Sequence, residues 1–157
     1  MSLSRLLGVC LPLVFFAACA SEEVPGPANG LAARGLTYAA ATRACGPADG
    51  PAVAIYLASG PVESLEPAAP YLRIYVWQPL DRLAGRSWVL TGSEPEGGAW
   101  LQSSATDYEV ATRGTVTVTR VRPDSTVEGS ADLTFPSTGR IRTGFRAVWV
   151  EQAMLCG

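Results

Sequence analysis

The sequence predicts one all-β domain, an antiparallel β-sandwich or barrel of about eight strands. Three observations predict it. Apolar and polar residues alternate with a period of two over much of the chain. Turn residues, including 16 glycines and 12 prolines among 157 residues, separate these runs at short intervals. With 48% apolar residues, the chain is long enough for one core and too short for two comfortable domains.

Six runs in the first part of the domain show this alternation: 52–59, 71–78, 86–92, 98–104, 106–112 and 115–122. The first two have aliphatic residues at every second position, which strongly favours strands. The third and fourth flank a Gly/Glu/Pro stretch and predict a hairpin with a longer loop. The fifth and sixth are separated by Arg113-Gly114, which predicts a tight turn. Residues 31–44 are the one segment whose composition also suits a helix.

The last two runs, 126–135 and 140–150, predict a hairpin. Apolar residues occupy odd positions in both, and they face one core if cross-strand partners sum to an even number. A loop at 137–139 with Gly139 in the left-handed conformation satisfies this condition and places Phe135 opposite Ile141. Asp132 then lies near the outward arginines. We expect these charges to form a solvated face, with recognition as the alternative.

The N-terminus has the pattern of an export signal. Residues 1–5, "MSLSR", supply positive charge, and the thirteen residues 6–18 are apolar or small. As a helix they would span about 20 Å, which is short of the roughly 30 Å hydrocarbon core of a bilayer. A permanent membrane-spanning anchor is therefore disfavoured.

The stretch "FAAC", residues 16–19, resembles the lipobox of bacterial lipoproteins, with Phe16 in place of the more usual aliphatic residue. The resemblance implies that residues 1–18 are a cleaved signal peptide. It also implies that Cys19 is diacylated on sulfur, becomes the N-terminal residue and is then N-acylated, which holds the protein on the lipid bilayer. The residues after Cys19 lack the aspartate that often retains lipoproteins in the inner membrane, so we expect the outer membrane. Ala18-Cys19-Ala20 as an ordinary secretory cleavage site, and an uncleaved segment, are the alternatives.

The mature chain divides into a tether and a domain. Residues 19–34 comprise the lipidated N-terminus and a stretch rich in Pro, Gly, Ala and acid, which predicts a flexible tether. Residues 35–157 form the all-β domain. Its "GTVTVTRV", "VEGSADLTF" and "FRAVWV" segments resemble only the sheets of uncharacterised β-rich bacterial lipoproteins, and that resemblance implies no functional residues.

The cysteines predict one disulfide. Lipoprotein processing removes Cys10 and uses Cys19, which leaves Cys45 and Cys156. In an oxidising envelope compartment such a pair in a small domain predicts a bridge. The bridge requires the two ends of the domain to meet, with Cα atoms about 4.4–6.8 Å apart.

Composition excludes several chemistries. The chain has no histidine and no lysine, so the usual nucleophile-activating dyads, metal sites and haem sites are not expected, and we predict no cofactor. Twelve basic against 14 acidic residues give no basic field for nucleic acid. The acidic pairs Glu94/Glu96 and Asp107/Glu109 could serve a small carboxylate-dependent hydrolase, although we expect them to be solvated.

The aromatic residues carry the functional hypothesis. Tyr71, Tyr75 and Trp77 share the second face of a strand whose other face is aliphatic. Either the strand is buried on both sides, or these rings contact a ligand, glycan or protein partner. The sequence therefore favours a non-enzymatic, membrane-anchored binding or structural module of the cell envelope. An inhibitor similar to the lipid-anchored lysozyme inhibitors is the alternative.

Overall fold

A computed structural model of the chain describes residues 31, 34–62, 67–93, 95–122, 126–153 and 156. Over these residues the fold is all-β, which confirms the predicted class, with nine strands and no α-helix. The strands are β1 (Tyr38–Cys45), β2 (Pro51–Ala58), β3 (Tyr71–Val76), β4 (Arg86–Val89), β5 (Gly97–Gln102), β6 (Tyr108–Val110), β7 (Arg113–Arg122), β8 (Thr126–Phe135) and β9 (Gly139–Trp149). Two short 3-10 turns span Pro47–Asp49 and Leu80–Arg82.

All nine strands belong to one sheet, in the order β4-β7-β8-β9-β1-β2-β3-β5-β6. Neighbouring strands are antiparallel except β1 and β9, which run parallel with Ala40 opposite Val148 and Ala41 opposite Trp149. The first and last strands are thus neighbours. Because they run in the same direction, their C-terminal ends lie at the same end of the sheet, where Cys45 and Cys156 form the predicted disulfide with Cα atoms 5.6 Å apart.

The inner face of this sheet surrounds one apolar core. Every strand except the short outermost β6 contributes buried side chains to it, among them Ile55, Leu72, Val116 and Phe135. Hydrogen bonds connect β4, at one end of the strand order, to the segment that leads into β5 near the other end. Glu96 N, for example, donates to Val89 O at 2.8 Å. No ladder within the described ranges joins β4 to β6, so the sheet rolls around its core without closing into a regular barrel.

One strand, β1 (Tyr38–Cys45), is not among the eight predicted strands. It overlaps residues 31–44, whose composition also suits a helix. Its alanines favour a helix locally, but β1 lies between β2 and β9, where both neighbours require extended backbone. Tertiary pairing therefore decides its conformation. Leu31, which the sequence assigned to the tether, is fully buried in the core.

Two of the predicted turns are wrong. Strand β4 pairs with β7 and not with β5, because β5 has β3 along one edge and β6 along the other. Arg113 and Gly114 do not form a tight turn but begin β7, and Gly114 does not have the positive φ that such turns favour. After β6 the chain continues directly into β7, which pairs with β8. Thr112, between β6 and β7, already contacts β8, because its N donates to Thr134 O at 2.8 Å.

The last hairpin has the predicted faces and a different register. Phe135 lies opposite Gly139, and Ile141 lies opposite Leu133 instead of Phe135. Gly139 has the predicted positive φ, 79°. The loop is therefore 136–138, one residue earlier than expected, and partner numbers still sum to an even number. That parity keeps the odd residues of both strands in the core.

Candidate functional site: an aromatic face around Arg73

The outer face of β2, β3 and β5 carries large side chains that the strand register aligns. Tyr56 lies opposite Arg73, and Arg73 lies opposite Trp100. Tyr75 is on the same side of β3, two residues further along. Partners on antiparallel strands have Cβ atoms about 4.5–5.5 Å apart, so these side chains are within contact of one another. We call Tyr56, Tyr71, Arg73, Tyr75 and Trp100 the aromatic face.

The Arg73 guanidinium is held by two rings. Its Cζ atom lies 5.2 Å from the centroid of Tyr75 and 5.2 Å from that of Trp100. The two rings meet edge to face with centroids 5.5 Å apart. Gly98 makes room for this arrangement, because a Cβ atom there would lie 2.5 Å from Cη2 of Trp100. Cation–π contacts of this kind contribute about 0.5–2 kcal/mol, depending on desolvation.

Tyr56 lies beneath Arg73 and is 1% exposed. Its hydroxyl hydrogen-bonds with Tyr75 and Arg73. Burial, and then the neighbouring Tyr75, raise the pKa of the Tyr56 hydroxyl above its ordinary value, so this group stays protonated at physiological pH. Tyr71 meets Tyr56 edge to face with centroids 6.1 Å apart. The aromatic face is thus a packed layer with fixed side-chain positions.

Arg73 differs from the other arginines in the described part of the chain. Six form ion pairs with carboxylates: Arg43, Arg120, Arg122, Arg140, Arg142 and Arg146. Four others are exposed: Arg34, Arg82, Arg86 and Arg113. Arg73 is half-buried, pairs with no described carboxylate, and has a buried Nε without a hydrogen-bond partner among these residues. Because this Nε is buried, an external acceptor would bind the guanidinium through its terminal nitrogens.

A groove of about 480 Å³ opens beside Arg73. One wall comes from the segment before β3 and the other from the loop between β5 and β6. The lining residues are Pro67, Ala68, Ala69, Tyr71, Arg73, Gln102, Ser104, Ala105, Thr106 and Tyr108. Tyr108 is 60% exposed, so its ring is available at the rim. The volume is in the range of small-molecule sites, about 300–1,000 Å³.

The loop wall of the groove is fixed by hydrogen bonds. Gln102 Nε2 donates to Ser104 O at 2.7 Å, and Ser104 Oγ donates to the Asp107 carboxylate at 2.8 Å. Ser104 Oγ also accepts from the Asp107 backbone N–H at 3.1 Å. These contacts hold the loop between β5 and β6 in one conformation, so the groove needs little rearrangement to receive a ligand.

A second concave region of about 690 Å³ lies at the disulfide end of the sheet. Val53, Leu80, Val121 and Trp149 contribute apolar surface to it. Its basic residue Arg43 is paired with Glu151, with 3.3 Å between Nη2 and Oε1. The other charged residue in its lining, Asp81, is exposed, whereas Arg73 is half-buried, so we place the candidate site on the aromatic face.

All three predicted aromatic residues pack with one apolar cluster outside the core, at different places along it. Tyr71 and Tyr75 belong to the aromatic face, but Trp77 lies at the far end of the strand against Gly46, near the disulfide. The sequence analysis did not identify Tyr56, Arg73 and Trp100 as site residues. Arg73 could have been found, because it has the same parity as Tyr71 and Tyr75. Trp100 could not, since its position depends on the pairing of β3 with β5.

The predicted acidic pairs hold turns. Glu96 Oε2 accepts from Val89 N at 3.0 Å, and the Asp107 carboxylate accepts from Ser104. Glu109 accepts from Ser137 N at 2.9 Å and from the Thr138 hydroxyl at 2.8 Å. Glu94 lies outside the described residues. The residues that the structure describes contain no cluster of His, Cys, Asp or Glu suited to a metal ion.

The predicted lipidation site, Cys19, also lies outside the described residues. Within the described ranges, no helix is long and apolar enough to cross a membrane. No protein-family model, no curated protein and no solved structure matches the chain.

Proposed function

We propose that this protein is a non-catalytic binding module of the bacterial cell envelope. It is anchored to the outer membrane through acylated Cys19, and its aromatic face contacts the ligand. The observation that carries the proposal is Arg73, a half-buried cation held by two rings beside a groove, without a carboxylate partner in the described chain. Arginines that stabilise this fold pair with acids, as Arg122 does with Glu128 at 2.8 Å. Arg73 is therefore better suited to an external partner.

The location rests on the sequence. The basic residues 1–5, the apolar residues 6–18 and the lipobox-like 16–19 together support export and lipidation. The disulfide supports the same compartment, because structural disulfides persist where the environment is oxidising. Intact-mass measurement of the membrane-extracted protein tests this directly. We expect a chain that starts at Cys19 and carries acyl groups, and an unmodified start at Ala20 would contradict it.

Binding fits the side chains better than catalysis does. Glu96, Asp107 and Glu109 each use a carboxylate to hold a turn: Glu96 directly before β5, Asp107 in the loop between β5 and β6, and Glu109 in β6. The chain has no histidine or lysine to activate a nucleophile. A lysozyme-inhibitor role would be one form of binding, in which the ligand is an envelope-degrading enzyme. The same experiment covers it.

The test is a retention assay with full-length protein in detergent micelles. Immobilised protein is offered peptidoglycan fragments, outer-membrane polysaccharide, envelope protein extract and purified lysozyme. We expect Trp100→Ala to reduce retention of one fraction at least tenfold, because it removes one of the rings that hold Arg73. Val89→Ala is the control, since Val89 is 50% exposed on the opposite half of the sheet. Equal retention by both folded variants would overturn the proposal.

A further inference from the structure

We propose that the groove beside Arg73 binds an acidic saccharide, with a carboxylate on the Arg73 guanidinium and a sugar ring against the aromatic side chains of the rim. This rests on the proposed function, since it names the ligand class of the same site.

The charge of the groove points to a carboxylate. Among the described residues that line it, Arg73 is the single basic one. A carboxylate carries one negative charge and matches the planar guanidinium through two parallel hydrogen bonds. A phosphate monoester carries about −1.5 to −2 charges near neutral pH and is usually bound by several cationic groups or helix N-termini. One arginine without a second cation therefore favours the monoanion.

The position of Arg73 makes this interaction strong. Tyr75 and Trp100 hold the guanidinium, and Tyr56 lies beneath it, so it is partly shielded from water. A charge pair in such surroundings interacts more strongly than the same pair in bulk water. Little side-chain freedom is lost on binding, because the rings already fix the arginine.

The remaining walls suit a saccharide better than an apolar peptide. Gln102, Ser104, Thr106 and Tyr108 bring amide and hydroxyl groups to one side of the groove. The exposed Tyr108 ring offers a flat surface at the rim, against which the C–H groups of a pyranose can pack while its hydroxyls face polar groups. The opposite wall, 67–69, is made of small residues that leave room for a ring.

The experiment is a titration of full-length protein in detergent micelles, followed by calorimetry and by tryptophan fluorescence. The probes are a glucuronic acid oligosaccharide, a glucose oligosaccharide of the same length, sodium acetate, inorganic phosphate and a glutamate peptide. We expect the glucuronic acid oligosaccharide to bind at least tenfold more tightly than each other probe. Arg73→Gln should remove that difference. The control Arg86→Gln should keep it, because Arg86 is an exposed arginine on the other half of the sheet that forms no ion pair with a described residue.

The outcomes separate this inference from the proposed function. Equal affinity for the acidic and neutral oligosaccharides, tighter binding of the glutamate peptide or phosphate, or an Arg73→Gln variant that binds normally would overturn it. Glu63 and Glu66 lie outside the described residues and precede Pro67 in the sequence, so the titration is repeated with the Glu63→Gln/Glu66→Gln variant. If the glucuronic acid oligosaccharide binds that variant but not the native chain, the inference that the native groove accepts this ligand is wrong. If Trp100→Ala still abolishes retention in the envelope assay, the binding function stands and only the ligand class fails.

Discussion

The two halves of the sheet treat charge differently on their outer faces. The charged half, β4-β7-β8-β9, carries acids that are each shared by several arginines. Glu128 has Arg122 at 2.8 Å, Arg146 at 3.6 Å and Arg120 at 3.9 Å. The aromatic half, β1-β2-β3-β5-β6, carries Arg73, which pairs with no described carboxylate and is held by rings instead.

This difference separates a stabilising surface from a binding surface. In the charged half, Asp132 pairs with both Arg140 and Arg142, so these three charges are satisfied within the protein. In the aromatic half, Arg73 pairs with no described carboxylate, and its buried Nε has no hydrogen-bond partner among the described residues. Packing without full electrostatic pairing leaves a site that a ligand can complete.

The halves meet at the pair β1 and β9, and the disulfide reinforces that seam. Only two residue pairs are in parallel register there, and Val150 N donates to Ala41 O at 2.8 Å beyond them. We therefore expect the largest effect in the molecule from Cys45→Ser/Cys156→Ser. The cysteines are 111 residues apart, and chain entropy predicts a loss of about 4–5 kcal/mol in the free energy of unfolding. Urea denaturation measures it, and an unchanged midpoint after reduction of the native protein would contradict it.

Two glycines compare a backbone obstacle in the charged half with a side-chain obstacle in the aromatic half. A Cβ atom at Gly129 in the charged half would lie 2.2 Å from the backbone oxygen of Thr117, which cannot move aside. We expect Gly129→Ala to lower the free energy of unfolding by about 2–3 kcal/mol. At Gly98 in the aromatic half the obstacle is the outer edge of the Trp100 ring, which can rotate. Gly98→Ala should therefore cost less, about 1 kcal/mol, while shifting tryptophan fluorescence and weakening ligand binding. Equal unfolding costs for both variants would show that the ring is as rigid as the backbone.

Glu128 tests how much the charged half gains from pairing. Its side chain is 3% exposed, whereas its three arginine partners are 37–60% exposed. Glu128→Ala leaves three neighbouring positive charges, but these remain accessible to water, so we expect a loss of about 1–2 kcal/mol rather than the larger cost of an isolated buried charge. Glu151→Ala is the control, because Glu151 and Arg43 are both 65% exposed and such pairs contribute at most about 1 kcal/mol. Thermal denaturation in which both variants melt alike would contradict the distinction.

The sequence predicts what is local and misses what depends on pairing. Alternation locates eight of the nine strands and the faces of the last hairpin, and counting cysteines gives the bridge between Cys45 and Cys156. Alternation does not tell which edges pair, so β4 was assigned to β5 instead of β7. The same limitation conceals the candidate site. Tyr71 and Tyr75 are visible in one strand, whereas the contact of Trp100 with Arg73 requires the register between β3 and β5.

The smallest effect expected is the pH dependence that comes from Asp132 in the charged half. Arg140, whose Nη2 lies 2.6 Å from Asp132 Oδ2, and then Arg142 hold the pKa of the Asp132 carboxyl below its usual value. A carboxylate with a lowered folded-state pKa contributes stability above its unfolded pKa, near 4, and loses it as the pH falls through the folded value. Because Asp132 is 40% exposed, solvent screens the pair, and its contribution at pH 7 is at most about 1 kcal/mol. We expect Asp132→Asn to be less stable than wild type at pH 7 and nearly equal to it at pH 2–3.

Arg73→Gln, which removes no ion pair with a described residue, should show the same stability difference at both pH values. A pH-dependent difference for Arg73→Gln would mean that an acid of the chain pairs with Arg73, and the contrast between the two halves would then be lost.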